Sequence, residues 1–344
     1  MGWGLGWRLM CGLAVCLAWG RVEAAEPGLP VREQILELQE GWNAIFLEVE
    51  PADPDPGRVF GELPVDIVAS FYARVASAQF VTDPGANLFR RAGWGVWYAD
   101  DRPDAFLGTL HAIHGQRAYL IHATAAFTWR IQGEVVAEDV VWQSRAFNLV
   151  GFSVRPTGAP TFAEFFAGSR AHRHNRIYRL AQGSWRRVTD PASETLRSGE
   201  AFWIYCDGVS TYQGPLRVGT RLQRSLILGT GTAALTLRNE TRHPVAPTLE
   251  LIAGADEAVP LSLVIQAVGD GENLVRRVAA PLPSGPWVQE LPALDAGRAV
   301  RVPFEVRREA MGARRQTSVL KISTDMGTEH WLPVISVRDD LEER

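Results

Sequence analysis

Short apolar runs set off by proline, glycine and polar turns organise this chain. Residues 44–49 and 149–154 are apolar runs bounded by turn residues, as buried strands are. Pro51-Ala52-Asp53-Pro54-Asp55-Pro56-Gly57 ends the first of them, because proline removes a donor from the strand ladder. Residues 59–63 and 161–167 are predicted as short helices, with Thr161 placed to cap the second. Residues 119–122 and 202–205 are aromatic-rich and suit strands. From residue 219 the pattern becomes regular alternation. Leu222, Ser225 and Ile227 read as one strand. Residues 235–238, 249–252, 261–268, 299–306, 318–323 and 331–337 read as others. About seven short strands with turns between them are the pattern of an antiparallel β-sandwich.

The first two thirds of the chain carry an ordered series of internal matches. Gly41-Trp42-Asn43-Ala44-Ile45-Phe46-Leu47-Glu48-Val49-Glu50-Pro51 returns as Ala146-Phe147-Asn148-Leu149-Val150-Gly151-Phe152-Ser153-Val154-Arg155-Pro156. Phe60 falls opposite Phe165, Tyr72 opposite Tyr178, and Gly93 and Asp100 opposite Gly183 and Asp190. Gly115-Gln116 with Tyr119-Leu120-Ile121 matches Gly199-Glu200 with Phe202-Trp203-Ile204, and Gln132-Gly133 matches Gln213-Gly214. The second stretch lacks a counterpart of residues 77–91, which contain proline and glycine and read as a loop.

At Gly41-Trp42-Asn43 the sequence resembles a GWN-type aromatic β-repeat of large exported bacterial proteins. Pro51, Tyr72, Trp94 or Trp97, Gly115-Gln116 and Tyr119 fit its first copy. Phe147-Asn148, Pro156, Tyr178, Trp185, Gly199, Phe202 and Trp203 fit its second. The chain departs from the pattern in having Phe147 for tryptophan and no proline before Gly115 or Gly199. The resemblance covers residues 39–218. It implies a non-catalytic module in a secreted or surface protein, often beside immunoglobulin-like domains, and the C-terminal segment fits such a domain.

The amino terminus adds an address. Arg8, an apolar run over residues 9–19, and Val22-Glu23-Ala24 followed by Ala25 have the order of a secretory signal. The run is shorter than the roughly 20 residues a membrane span needs. Val15 before Cys16 argues against a lipid anchor. Export to the periplasm, cell surface or medium is expected, with no membrane span in the mature chain. Cys11 and Cys16 lie in the signal, so Cys206 is the one mature thiol. It follows the apolar run 202–205 and reads as a small buried hydrophobe. Net charge is −4, and Lys321 is the single lysine among 35 basic residues. No basic segment points to nucleic acid.

Candidate chemistry is sparse. His111, His114 and His122, with His172 and His174, are the best metal candidates, but no third ligand has motif spacing. Asp53 with Asp55 and Asp100 with Asp101 lack the distal glutamate of a calcium loop and read as turn residues. No Gly-x-Ser-x-Gly elbow occurs, and Gly229-Thr230-Gly231-Thr232 lacks the lysine of a phosphate loop. Asn239-Glu240-Thr241 is formally a glycosylation sequon. No cofactor is expected. The tryptophans are the strongest binding candidates. Trp94, Trp97, Trp129 and Trp185 form a candidate stacking face for a glycan, with Trp97 and Trp129 singled out because they lack aromatic counterparts in the second copy.

The expectation is therefore a mainly β protein: a signal peptide (1–24), two tandem small β-rich repeats (25–137 and 138–218) and a C-terminal antiparallel β-sandwich (219–344). Its function is read as non-enzymatic structure or adhesion. An extracellular polysaccharide or surface protein is the expected partner, and carbohydrate binding through exposed tryptophan is the alternative.

Overall fold

The computed structural model describes residues 28–72, 93–221, 224–229, 231–254, 257–268, 275–283 and 285–338. The signal segment and the loop over residues 77–91 lie outside them. The protein is mainly β. The first part forms β1 (Val31–Leu38), β2 (Gly41–Leu47), β3 (Val49–Pro51), α1 (Pro56–Phe60), β4 (Val65–Phe71), β5 (Trp94–Tyr98), β6 (Arg117–Ala123) and β7 (Phe127–Val135). The second forms β8 (Ala146–Gly151), α2 (Phe162–Phe165), β9 (Ile177–Ala181), β10 (Ser184–Arg187) and β11 (Ala201–Cys206).

Two four-stranded antiparallel sheets arise from these parts, in the orders β2-β6-β4-β5 and β8-β11-β9-β10. The strand order is the same, with the last strand of each part inserted second. The register agrees as well. Tyr119, Leu120 and Ile121 face Ile45, Ala44 and Asn43. Phe202, Trp203 and Ile204 face Val150, Leu149 and Asn148. Each asparagine latches the turn before its strand. Asn43 Oδ1 accepts from Gln39 N, and its Nδ2 donates to the carbonyls of Gln39 and Gly41. Asn148 does the same with Gln143 and Ala146.

Each part also has one short helix between its first two strands. Asp55 caps α1, and Pro56 opens it, where the missing N–H costs nothing. Thr161 and Glu164 form a capping box on α2. The helices end on the buried Phe60 and Phe165. One sequence match does not hold: Tyr178 faces Trp203, while the equivalent position facing Leu120 is Ala69, not Tyr72. A three-residue drift of this kind arises because β4 continues into a long insertion, whereas β9 turns at once through Gln182 and Gly183, both at positive φ. Gln132-Gly133 and Gln213-Gly214 part company too, the former inside β7 and the latter outside any strand.

The two sheets pack face to face. Phe46, Trp94, Val96 and Leu120 from the first meet Trp185, Ala201 and Trp203 from the second. Contact is close enough that a Cβ on Gly151 would lie 2.2 Å from the Cβ of Phe46. Phe46 N also donates to Gly199 O at 2.8 Å. The outer faces are covered differently. The first sheet is roofed by a three-stranded sheet in the order β1-β7-β3, enclosing Leu36, Ile45, Leu47, Phe60, Tyr119 and Trp129. The second is roofed by α2 and irregular chain, enclosing Trp142, Phe152, Phe162, Phe165, Phe202 and Tyr212.

The third part is a sandwich of two five-stranded sheets. Its strands are β12 (Leu216–Gly219), β13 (Leu226–Leu228), β14 (Ala233–Asn239), β15 (Pro247–Ala253), β16 (Leu261–Val268), β17 (Val275–Pro281), β18 (Trp287–Glu290), β19 (Ala299–Val306), β20 (Arg315–Thr324) and β21 (Glu329–Val337). The sheets run β12-β14-β19-β16-β17 and β13-β21-β20-β15-β18. Pairing is antiparallel except for β13, which runs parallel to β21. The sandwich thus begins at β12, a few residues before the expected boundary at 219. It docks on the second part through Val154 and Thr328, which bridge, and through Glu329 N, which donates to Ser153 O at 2.9 Å.

Candidate functional site

The tryptophans expected to form a stacking face are taken up in two different cores. Trp94 and Trp185 are 7% and 6% exposed and lie on either side of Trp203, their ring centroids 6.1 and 6.2 Å from it. Trp129 is 5% exposed. It packs on Phe60 at 5.2 Å, beneath the roof of the first sheet. Trp97 is half-buried against the same Phe60 at 5.8 Å. These four rings offer no common exposed face. Trp97 and Trp129 lack counterparts because the second sheet has no three-stranded roof to pack against.

The histidines are spread, not gathered. His114 Nδ1 meets Glu50 Oε1 at 2.9 Å. His122 Nδ1 meets Asp66 Oδ1 at 2.6 Å, and Asp66 Oδ2 accepts from Arg102, which also holds Asp104. That hydrogen bond keeps the Asp104 carboxyl below its usual range. His174 and Arg176 both bind Asp207, and Arg176 lies 3.5 Å over the Tyr205 ring. Burial works against ionisation of Asp207, but the two donors outweigh it and lower its pKa. Residues 107–114 are a short 3-10 turn and irregular chain, so His111 and His114 share no helix face. Among the described residues no group of three or more His, Cys, Asp or Glu comes together.

One pair escaped the sequence reading. Ser169 Oγ lies 2.6 Å from His172 Nδ1. Both residues are buried, and the imidazole is packed between Trp142 at 4.2 Å and Phe166 at 4.9 Å. Desolvation lowers the His172 pKa to about 4, so the ring is neutral at physiological pH. The nearby Asp207 is committed to His174 and Arg176, so no carboxylate orients the imidazole as a catalytic triad requires. The three-residue spacing of Ser169 and His172 was the available signal, but an i, i+3 serine and histidine is too common to single out.

Cys206 is fully buried, and its thiol donates to Gly208 O. Burial pushes its pKa up, opposite to a reactive cysteine. Asn239 of the formal sequon is also fully buried, with its side chain bonded to His243 O, Leu294 O and Thr241 N. A folded chain does not present it for glycosylation.

The largest concavity is a cleft of ≈ 560 Å³ between the two four-stranded sheets and the linker that follows β7. Phe46, Phe71, Tyr72, Leu149 and Val150 supply apolar walls, and Gln116, Arg117, Glu138, Asp139 and Gln143 supply polar groups. Arg117 lies 5.8 Å over the Tyr72 ring. Arg224 pairs with Glu138 at 3.6 Å across the rim. Such a cleft can hydrogen-bond a hydroxyl-rich ligand over an apolar floor. Toward the sandwich a buried ionic knot closes it. Glu48 takes Arg32 at 2.6 Å, and Arg32 lies 4.5 Å over Trp331, whose ring Lys321 also approaches at 4.9 Å. Burial raises the Glu48 pKa against the pull of Arg32.

No known family profile matches the sequence, and no curated protein matches it. Among solved structures, a β-glucosidase from Listeria innocua in complex with glucose has 13% identity and a TM-score of 0.19, covering 55% of this chain and 22% of that one. The Enterococcus faecalis MSCRAMM ACE has 8% identity and a TM-score of 0.21, covering 91% and 96%. The secreted serine protease VesC from Vibrio cholerae has 11% identity and a TM-score of 0.23, covering 88% and 71%. Scores this low establish no shared fold and carry no function across.

Proposed function

We propose that this chain is an exported, non-enzymatic structural or adhesion protein, made of two copies of a GWN-type aromatic repeat and an immunoglobulin-like sandwich. The observation that carries the reading is the fate of the aromatic residues. The rings that mark the repeat are packed between two sheets of one strand order, where they build a scaffold. The shared asparagine latch and the shared register support descent of the two sheets from one unit. The signal-like amino terminus supports export. The test is an array of glycans and matrix proteins probed with the mature chain, run beside chromogenic glycoside, ester and peptide substrates. Binding without turnover is expected. Turnover abolished by one substitution would overturn the reading.

A second reading is carbohydrate binding, now seated in the inter-sheet cleft and not on tryptophan. It is favoured by the Tyr72 and Arg117 pair beside Gln116, Asp139 and Gln143. Binding of a neutral glycan that Arg117→Ala removes would establish it over a purely structural role.

A further inference from the structure

Away from that cleft, β12 places Arg217 directly opposite Arg238 of β14. Both side chains are exposed on the outer face of the sandwich. Like charges facing each other across antiparallel strands repel. Arg238 is relieved by Glu240, whose Oε1 lies 3.3 Å from its Nε. Arg217 has no carboxylate partner among the described residues. Beside it opens a hollow of ≈ 190 Å³ at the seam between the second part and the sandwich. Arg170, exposed and likewise without a described carboxylate partner, lines the same hollow, with Ser210 and Thr211. The seam is tight: a Cβ on Gly168 would sit 1.9 Å from Glu240 O. The wall is therefore set by backbone packing. Two guanidinium groups and two hydroxyls line one concavity, whose single carboxylate is already engaged.

We infer that this hollow binds one charged residue of an acidic polysaccharide lying across the seam. Guanidinium groups grip carboxylate and sulfate through paired N–H donors. The hollow is smaller than the ~300–1,000 Å³ pockets that enclose whole drug-sized ligands, which suits a single sugar of a longer chain. Nucleic acid fits less well, because single strands need exposed rings for base stacking. The one ring in this wall, Tyr212, is 8% exposed and its hydroxyl is bonded to Phe165 O.

The test measures binding of the full chain to dextran sulfate, polygalacturonate and neutral dextran between about 50 and about 200 mM salt. Binding to at least one charged polymer, weakened by salt, and none to neutral dextran is expected. Arg170→Ala/Arg217→Ala should weaken binding by roughly tenfold or more, while Glu240→Gln should strengthen it by freeing Arg238. Arg186→Ala/Arg187→Ala removes the same charge from the β10 edge and should leave affinity unchanged. Equal loss in that control, no loss in the Arg170/Arg217 variant, or tighter binding of a single-stranded oligonucleotide than of either charged polymer would overturn the inference. So would displacement of the polymer by inorganic sulfate at matched sulfate concentration, which would make the site one for a free anion.

Discussion

The two four-stranded sheets share a strand order and differ in what covers them. On the face they share, both use large aromatic rings, and a ring from one sheet fills space left by glycine or alanine in the other. On their outer faces they diverge. The first gains a whole additional sheet, built by β1, β3 and β7. The second makes do with one turn of helix and a cluster of phenylalanines around His172. A shared interface constrains both partners at once. An outer face has only to be covered, so its cover can change.

The largest expected effect comes from breaking the shared face. Trp203 is fully buried between Trp94 and Trp185, so Trp203→Ala should cost about 4 kcal/mol. Denaturant titration should show both sheets failing in one transition. Separate transitions would mean that they fold independently. Next is acid. The His172 pKa is lowered from 6.5 to about 4 by burial, so the unfolded chain binds the proton more readily. Stability held by neutral His172 is full above about pH 6.5 and is lost as pH falls toward 4, by about 3 kcal/mol. His330, lowered to about 4 by the same cause, adds a parallel loss in the sandwich. His172→Phe should remove one of these two contributions from the pH dependence of unfolding. An unchanged pH slope would refute the assignment.

A smaller effect probes complementarity. Gly151→Ala forces a methyl onto Phe46 and should cost about 2 kcal/mol. In the Phe46→Leu background much of that cost should vanish, and additivity in the double-mutant cycle would show that the two do not touch. The smallest compares the two latches. Asn148 is 3% exposed and Asn43 half-buried. Asn148→Ala should therefore cost about 2 kcal/mol and Asn43→Ala about 1, measured by thermal unfolding.

Much of this was written plainly in the chain. Residues 261–268 and 299–306 alternate between turns, and both strands run over those residues. The recurring asparagine marked a recurring turn. What was hard to read follows from packing between distant segments. Val31–Leu38 alternates only partly and became β1 because β7 pairs with it along its whole length. Trp129 stood out for having no counterpart, and that was a true signal of something the second part lacks. It signalled an extra layer, not a binding face. The hollow at Arg170 and Arg217 joins residues far apart in sequence, and no local pattern announces it.

The hydrogen bond from Phe46 to Gly199 carries a consequence for how such a gene can change. Each sheet is the other's missing half. Deleting either copy would leave a broad aromatic surface open to water. Copies arranged this way are gained or lost by twos, while the roof over each can be exchanged one at a time.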